Sequence, residues 1–208
     1  RGSRQAAGEP RAYRMKPVLL VIAGPNGAGK TTVTDMIRRD HWSDGVTYLN
    51  PDEVARDRFG GWNDIPSIQR AAEWVQAERE RLLIEKKSLA FETVLSMPDK
   101  LEFIERARDG GFFVRAFFVS TSDPTINAAR VARRVMEGGH TVPIDKIVSR
   151  YARSMAHLDR LVRACHRVYV YDKSVDEEEA RLVVRYRDGA IRKIYGLQPA
   201  WVAASTAG

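Results

Sequence analysis

The chain has 208 residues, of which 44% are hydrophobic, and its formal net charge is +7. No apolar run approaches the roughly 20 residues that a transmembrane helix needs, so membrane binding is not predicted. The single cysteine, Cys165, excludes a framework of internal disulfide bonds. Together these features predict one soluble domain in the cytoplasm, long enough to bury a sizeable core.

Residues 1–14 differ in composition from the rest of the chain. They carry four arginines against one glutamate, so residues 15–208 retain only +4. Arg-Gly-Ser at the start is typical of a vector remnant, and Met15 is a candidate for the native start. We therefore predict that residues 1–14 are disordered or vector-derived and that residues 15–208 form a single domain. No segment alternates basic with aromatic residues, so the basic charge predicts phosphorylated small ligands rather than nucleic acid.

The first predicted strand, residues 18–23, leads directly into a phosphate-binding motif. Residues 24–31 read Gly-Pro-Asn-Gly-Ala-Gly-Lys-Thr and fit the pattern G-x-x-x-x-G-K-[ST], and a helix is predicted from Lys30 to about Asp40. Backbone N–H groups of such a loop bind phosphate oxygens, the lysine reaches the β- and γ-phosphates, and the Thr31 hydroxyl is placed to ligate Mg²⁺. The predicted nucleotide-binding residues are Gly24, Pro25, Asn26, Gly27, Ala28, Gly29, Lys30, Thr31 and Thr32.

A second, short strand is predicted at residues 46–49, and Asn50, Pro51 and Asp52 follow it. Ligands of open α/β sheets bind at the carboxyl ends of the strands, which favours Asp52 as an acid in a site. An N-cap role for Asp52, at the start of a helix near Glu53, is equally consistent with the sequence. Both interpretations stay open at this point.

A long helix is predicted from Pro66 to about Lys87, with Trp74 in the core, and a strand at residues 89–95 follows it. The predicted apolar face of the helix consists of Ile68, Ala71, Ala72, Val75, Leu82 and Leu83. Glu92 interrupts the apolar strand. A charged residue in a central strand is costly unless it is paired or functional, so Glu92 is a candidate site residue.

The second half of the chain continues the alternation of helices and strands. The predicted elements are a helix from about 96 to 108, a strand at 112–119, a helix from Pro124 to about Gly138 with Asp123 as its N-cap, a helix from Pro143 to about Cys165, a strand at 167–172, a hairpin of 182–187 and 191–195 around Asp188-Gly189, and a loose tail after Trp201. This alternation predicts an α/β fold with a mainly parallel sheet and the hairpin at its edge.

Phosphoryl transfer requires a phosphate cradle, Mg²⁺, a group that orients the nucleophile, and positive charge for the transition state. The candidate acids are Asp52 and Glu92, both predicted at the carboxyl ends of strands. The candidate cations are the arginines between residues 130 and 153, around a Gly-Gly pair at 138–139. Such arginine-bearing segments can close over a nucleotide and exclude water.

Four separated stretches resemble the zeta toxin family of small-molecule kinases: residues 23–32, 49–55, 91–96, and 138–151, which begins Gly-Gly-His-Thr-Val-Pro. The resemblance implies a P-loop kinase-like three-layer sandwich and an ATP-dependent kinase that requires Mg²⁺. It also implies a sugar hydroxyl of UDP-N-acetylglucosamine as the acceptor and a cognate antitoxin protein that blocks the ATP site. The chain is shorter than the plasmid-type toxins and resembles a compact branch of the family, for which the acceptor stays open.

The resemblance also implies roles for individual residues. Asp52 would be the general base on the acceptor hydroxyl, Glu92 and Thr93 would contact the acceptor, and Lys30 would bind the phosphates. One or two arginines would stabilise the transferring phosphoryl group; the candidates are Arg133, Arg134, Arg150 and Arg153. His140 is a candidate substrate-binding residue of the closing segment, and a histidine after Gly-Gly equally suits a helix cap.

Three other functions stay open from the sequence. The first is another nucleoside or small-molecule kinase on the same fold. The second is an RNA-end or polynucleotide kinase, which the basic charge would suit. The third is a nucleotide-dependent switch that binds partners and hydrolyses slowly. The chain has no Asn/Thr-Lys-x-Asp motif for reading guanine, and a switch would leave Asp52 and Glu92 without a clear role.

Overall fold

The structure is a computed structural model, and it describes residues 16–39, 41–60, 64–137 and 142–205. Predictions for residues 1–14, the Gly-Gly pair at 138–139 and His140 lie outside the described residues. Within these ranges the strands are β1 (Val18–Ala23), β2 (Thr47–Leu49), β3 (Leu89–Thr93), β4 (Phe113–Ser120), β5 (Arg167–Asp172), β6 (Arg181–Arg187) and β7 (Ala190–Ile194). The α-helices are α1 (Lys30–Arg39), α2 (Pro51–Arg58), α3 (Ile65–Ile84), α4 (Asp99–Asp109), α5 (Pro124–Met136), α6 (Ile144–Ala156), α7 (Leu158–Ala164) and α8 (Ala200–Ser205).

The described strands form one sheet in the order β2-β3-β1-β4-β5-β6-β7. Strands β1 to β5 pair in parallel, whereas β5–β6 and β6–β7 are antiparallel. The predicted α/β fold, with a mainly parallel sheet and a C-terminal hairpin at its edge, is confirmed. Asp188 and Gly189 at the hairpin turn have φ values of 49° and 82°, as a type I′ turn requires.

Strand β1 is apolar without interruption because both faces of the sheet are covered. In β1, Leu19, Val21 and Ala23 belong to one buried cluster, whereas Leu20 and Ile22 belong to a second cluster. Helices α3, α4 and α7 contribute to the first cluster and α1 to the second. Since helices pack on both faces, the fold is the three-layer sandwich that the sequence predicted.

The single helix predicted from Pro143 to about Cys165 is wrong. The chain forms α6 and α7 instead, and the two helices meet at His157. The Nδ1 atom of the His157 ring lies 2.8 Å from the carbonyl oxygen of Leu95, in the turn after β3. This contact joins distant parts of the chain and leaves no periodic signal in the sequence. Ile144 and Val148, two apolar residues of α6, are 67% and 44% exposed.

Several predicted boundaries and burials shift by small amounts. Helix α3 begins at Ile65 and ends three residues before the predicted end, and β3 ends two residues before it. Ala72, predicted on the apolar face of α3, is exposed. Trp74 is half-buried against the first cluster, and the guanidinium of Arg58 lies 4.2 Å from the centre of a Trp74 ring.

The loose tail predicted after Trp201 is also wrong. Residues 200–205 form α8, where Trp201 is buried and Val202 has no exposed surface. The Trp201 indole Nε1 donates a hydrogen bond to Oδ1 of Asp172, at the end of β5 (3.2 Å). The side chains of Trp201 and Val202 belong to the first buried cluster. The C-terminal segment is therefore part of the core.

We expect Trp201→Ala to lower the free energy of unfolding by about 2–4 kcal/mol, because it leaves a cavity and removes the bond to Asp172. Urea denaturation followed by circular dichroism measures this loss. Leu197→Ala is the matched control, since Leu197 is 86% exposed just before the helix. Equal stability of the Trp201 variant and the control would contradict the packing of α8.

Candidate active site

The phosphate loop connects β1 to α1 and is enclosed by backbone from three other elements. The Gly24 N–H donates a hydrogen bond to the carbonyl oxygen of Thr93, at the end of β3 (3.2 Å). Gly24 and Gly27 have positive φ values of 144° and 75°. A Cβ at Gly24 would lie 2.0 Å from the Val119 carbonyl oxygen, and one at Gly27 would lie 2.5 Å from that of Asn127. Only glycine fits both positions.

Asn127, in the first turns of α5, holds the loop from the other side. Its side chain is fully buried, and its Nδ2 donates a hydrogen bond to the carbonyl oxygen of Asn26 (2.6 Å). The hydroxyl of Thr121 in turn donates to Oδ1 of Asn127. Sequence reasoning missed both residues. A buried asparagine in a helix becomes recognisable only when the fold brings the loop against it.

Lys30 lies inside the phosphate loop. Its Nζ donates hydrogen bonds to the carbonyl oxygens of Gly24 (3.0 Å) and Pro25 (3.1 Å). Burial lowers the pKa of Lys30 to about 8; the negative charge of Glu92 opposes this shift, and the positive charge of Arg134 adds to it. Glu92 and Arg134 therefore both lie within electrostatic reach of the place where phosphates would bind.

Asp52 is placed at the start of α2, directly after β2. The helix begins at Pro51, and Asn50 is its N-cap, because Oδ1 of Asn50 accepts a hydrogen bond from the Asp52 N–H (2.9 Å). The predicted start near Glu53 and the N-cap role for Asp52 are therefore wrong. The Asp52 side chain is exposed, and no described residue forms a hydrogen bond or ion pair with its carboxylate. It is free to bind a ligand.

Glu92 has a different environment from Asp52. Its Oε1 accepts hydrogen bonds from the hydroxyl of Thr34 in α1 (2.5 Å) and from the hydroxyl of Tyr48 in β2 (2.9 Å). Burial and the Glu92 charge raise the pKa of Tyr48, so the phenol stays a donor. The cost of a charge in β3 is thus offset by two donors, and Oε2 has no partner among the described residues. Neither Thr34 nor Tyr48 was predicted.

A chain of contacts continues from Tyr48 to the helix that carries Asp52. The guanidinium of Arg38 lies 4.6 Å from the centre of the Tyr48 ring. The same arginine donates to Oε1 of Glu53 in α2 (3.1 Å). Helix α1, which begins in the phosphate loop, is therefore connected both to Glu92 and to α2.

Both oxygens of Thr93 accept hydrogen bonds from backbone N–H groups. Its carbonyl accepts from Gly24, and its hydroxyl oxygen accepts from the Leu95 N–H (3.0 Å). These bonds shape the turn after β3, in which Leu95 has a φ of 57° and is nonetheless buried. Thr93 thus supports the edge of the site through its own backbone and hydroxyl.

The sheet order brings three predicted features to one edge. Strands β2, β3 and β1 are neighbours, and Asp52, Glu92 and the phosphate loop lie at their carboxyl ends. The parallel register pairs Leu49 with Phe91 and Ile22 with Glu92. An acceptor held at the ends of β2 and β3 would therefore face phosphates held by the loop.

The candidate arginines occupy different environments. Arg134 is close enough to Lys30 to lower its pKa. Arg133 donates instead to Oδ2 of Asp176, in the connection between β5 and β6 (3.0 Å). Arg150 is half-buried on α6 and makes no hydrogen bond to a described residue. Arg153 is exposed, and its Nε donates to the carbonyl oxygen of Ser149.

The side chains at this edge suit a magnesium ion shared with phosphates better than one held by protein alone. The described ranges contain no cluster of three or more His, Cys, Asp or Glu side chains that could hold a metal. The Thr31 hydroxyl supplies an oxygen donor of the kind that Mg²⁺ prefers. Thr31 and Thr32 are exposed in the first turn of α1.

The pKa of Lys30 predicts how ATP affinity depends on pH. Phosphate binds the protonated amine, so affinity should be constant below about pH 8 and fall by up to about tenfold per pH unit above it. Titration calorimetry from about pH 7 to about pH 9.5 measures the profile. Glu92→Gln removes the charge that raises this pKa, so it should move the fall to lower pH.

Lys30→Arg is the control for this profile, because arginine stays protonated throughout the range. Its affinity should be lower and independent of pH. A wild-type profile that is flat to the alkaline end of the titration would contradict the proposed place of Lys30 in phosphate binding.

Comparison with known proteins shows what the whole chain is similar to. The family model described as zeta toxin matches residues 5–182. A chain of the PezAT chromosomal toxin–antitoxin system of Streptococcus pneumoniae has a TM-score of 0.59 at 16% identity, with 90% of this chain and 76% of that chain covered. No curated protein sequence matches the chain.

Two structures of the AvrRxo1-ORF1:AvrRxo1-ORF2 complex share the fold as well. One, with sulphate ions, has a TM-score of 0.66 at 15% identity and covers 92% of this chain and 63% of that chain. The other, with ATP, has a TM-score of 0.63 at 16% identity, with coverages of 85% and 60%. This chain thus spans less than two thirds of the AvrRxo1 chains, and the likeness concerns the fold. In the part of the chain that the structure describes, no helix has the length and apolar character to cross a membrane.

Proposed function

Because the chain belongs to the zeta toxin family, we propose that it is an ATP-dependent kinase that phosphorylates a hydroxyl of a small molecule. The proposed acceptor is a sugar nucleotide such as UDP-N-acetylglucosamine. The observation that carries this proposal is the exposed, unpaired carboxylate of Asp52 at the same sheet edge as the phosphate loop. A nucleotide switch would not need a free acid on the acceptor side of the loop.

The phosphate loop would bind the β- and γ-phosphates of ATP through its backbone N–H groups and Lys30. Lys30 would exchange its bonds to the Gly24 and Pro25 carbonyls for phosphate oxygens. When bound, Mg²⁺ neutralises charge on the phosphate oxygens, and the Thr31 hydroxyl is the protein group that would hold it. The loop thus fixes the γ-phosphoryl group in front of the acceptor.

Asp52 would orient the acceptor hydroxyl and accept its proton. The hydroxyl oxygen forms the new bond to the γ-phosphorus, the bond from that phosphorus to the ADP oxygen breaks, and the proton passes to the Asp52 carboxylate. A carboxylate is a weak base toward an alcohol. It suffices here because the transition state is loose and the proton leaves late. An unpaired carboxylate keeps its full hydrogen-bonding capacity for this purpose.

Glu92 would bind a second donor group of the acceptor. Thr34 and Tyr48 occupy one carboxylate oxygen and leave Oε2 available. A sugar offers hydroxyl or amide N–H groups next to the reacting hydroxyl. Asp52 would bind the reacting hydroxyl, and Glu92 would bind a neighbouring group. Thr93 would act mainly through the turn that it shapes after β3.

Arg134 and Arg150 are the arginines that we propose for the transferring phosphoryl group. Arg134 lies within electrostatic reach of Lys30, and Arg150 is half-buried without a described partner. Charge of this kind stabilises the oxygens of a transferring phosphoryl group. An antitoxin is proposed as a protein partner by analogy with the PezAT toxin–antitoxin system, and the resemblance to the family implies that it would cover the ATP site.

We expect Asp52→Asn to lower phosphoryl transfer by at least about a hundredfold while ATP affinity stays close to that of the wild type. Mass spectrometry of Mg²⁺-dependent reactions with UDP-N-acetylglucosamine measures transfer as a product heavier by one phosphate. Asp57→Asn is the matched control, because Asp57 is an exposed aspartate of the same helix that pairs with Arg56. Full transfer by the Asp52 variant would remove it from the mechanism.

The same assay tests the acceptor class. ATP binding without any phosphorylated sugar nucleotide would reject this acceptor and turn the search to nucleosides and RNA ends. Absence of transfer to any hydroxyl compound, with ATP consumed only as hydrolysis, would reject the kinase proposal and favour a nucleotide switch.

We expect Tyr48→Phe to raise the KM for the acceptor by about tenfold, because Glu92 loses one of its two donors and is no longer held in one orientation. The KM for ATP should change little, since the phosphate loop is intact. Steady-state kinetics with each substrate varied in turn separates the two constants. Tyr195→Phe, which removes a phenol near the β6–β7 edge, is the control. Equal rises in both KM values would contradict a role confined to the acceptor.

A further inference from the structure

We infer that the outer edge of β7 binds an extended peptide segment in which acidic and apolar side chains alternate. The segment would pair with β7 and extend the sheet by one strand. This inference concerns the end of the sheet opposite to β2. It goes beyond the proposed function and does not depend on it.

Strand β7 has an open side. It pairs with β6 on one side, and no strand of the described residues pairs with its other side. The five residues of β7, Ala190–Ile194, are all exposed. The strand at the opposite end of the sheet, β2, is only three residues long. Backbone N–H and C=O groups on the open side of an edge strand can pair with a further strand, and β7 is the longer of the two edges.

The hairpin formed by β6 and β7, residues 181–194, carries the excess positive charge of the domain. It contains a single acid, Asp188, and five basic side chains: Arg181, Arg185, Arg187, Arg192 and Lys193. Because residues 15–208 have a net charge of +4, the rest of that range is neutral as a whole. The hairpin would therefore attract an acidic partner.

Three of these cations, Arg185, Arg192 and Lys193, have no acidic partner among the described residues. Asp188 is engaged with the neighbouring Arg187 and with two arginines outside the hairpin. The strand register also places Arg185 directly opposite Lys193. Like charges in directly opposite positions destabilise a sheet, and carboxylates from an added strand would remove this repulsion.

The other face of β7 is apolar. Ile191 lies opposite Tyr186 in the register. Ile194 lies opposite Val184. Tyr186 and Val184 belong to the first buried cluster, so the two isoleucines continue the face of the sheet that forms the core. They are nonetheless 52% and 51% exposed. Apolar side chains of an added strand would bury them.

The difference between the two faces defines the partner. Successive side chains of a strand point to opposite faces. Acidic side chains of an added strand would therefore face Lys193 and Arg185, while the side chains between them would pack on the isoleucines. The match requires both features in one extended segment.

A second copy of the hairpin does not meet this requirement, because it would bring its own excess of cations to the edge. Charged side chains and bulges are features that keep edge strands from pairing with themselves, and the β6–β7 pair has a register shift next to Arg185. A nucleic acid would neutralise the cations but would use neither the exposed isoleucines nor the open backbone edge. The observations therefore favour an acidic protein segment.

Fluorescence anisotropy with a labelled peptide of four Glu-Val repeats tests the inference. The wild-type protein should bind this peptide. The same peptide with every amide N-methylated should bind at least about tenfold more weakly, because it cannot donate hydrogen bonds to the edge.

Lys193→Glu should weaken binding of the Glu-Val peptide by about tenfold. Lys87→Glu is the matched control, since Lys87 is an exposed lysine between α3 and β3 and the change in net charge is the same. Its affinity should stay within about twofold of the wild type. Circular dichroism checks that each variant is folded, and Lys193→Gln replaces Lys193→Glu should that variant not fold.

The double variant Ile191→Ser/Ile194→Ser tests the apolar face. It should also weaken peptide binding by about tenfold, because the added strand loses its apolar contacts. ATP affinity, measured by titration calorimetry, should stay at the wild-type value in all hairpin variants, since the phosphate loop is intact. Unchanged peptide affinity in the double variant would overturn the role of the isoleucines.

Four other results would overturn the inference. Equal binding of the two peptides would leave attraction by charge without strand pairing. Tighter binding of a single-stranded oligouridylate than of the peptide, lost in Lys193→Glu, would make the hairpin a nucleic-acid surface. Dimerisation of the wild-type protein in sedimentation velocity, lost in the isoleucine double variant, would assign the edge to a second copy. Absence of peptide binding would leave the charges as protection of an edge strand. Phosphoryl transfer enters none of these measurements, so their failure is distinct from failure of the kinase proposal.

Discussion

The close packing of the phosphate loop against its neighbours is the constraint on which the rest of the site depends. A Cβ at Gly24 or Gly27 would collide with backbone oxygens of β4 and α5, so the loop can lie there only with glycine at both positions. The same packing brings the Gly24 N–H to Thr93 and the Asn26 carbonyl to Asn127. The loop is therefore held in place by the ends of β3 and β4 and by the start of α5. Side chains on these elements have fixed positions relative to the loop.

Charge is distributed unevenly across this edge. Two carboxylates, Asp52 and Glu92, lie toward β2 and β3, and Arg134 acts on Lys30 from α5. The carboxylates also differ from each other: Glu92 is held by Thr34 and a phenol, whereas Asp52 has no partner among the described residues. Glu92 is thus fixed in orientation, whereas Asp52 is available to a ligand. The first property suits substrate binding and the second suits proton acceptance.

The sequence predicted those features that depend on local pattern. Consecutive residues carry the signals for the strand–loop–helix motif, the α/β alternation and the hairpin turn. The structure confirms all three. Contacts between residues that are far apart in the chain could not be predicted from such local patterns. The bonds of Tyr48 to Glu92 and of His157 to Leu95 span dozens of residues, and neither changes hydrophobic periodicity. The helix boundary at Asp52 failed for a finer reason, because asparagine and aspartate are nearly equal as N-caps.

The arginines illustrate how a single buried contact resolves what spacing leaves open. In sequence, Arg133 and Arg134 are adjacent and equally plausible as phosphoryl-binding cations. On a helix, adjacent residues point about 100° apart, so only one of them can share a face with Asn127. Because Asn127 is fixed against the loop, that face carries Arg134, and Arg133 turns to Asp176. The role that we propose for Arg134 thus depends on the position of Asn127, an asparagine that belongs to no recognised motif.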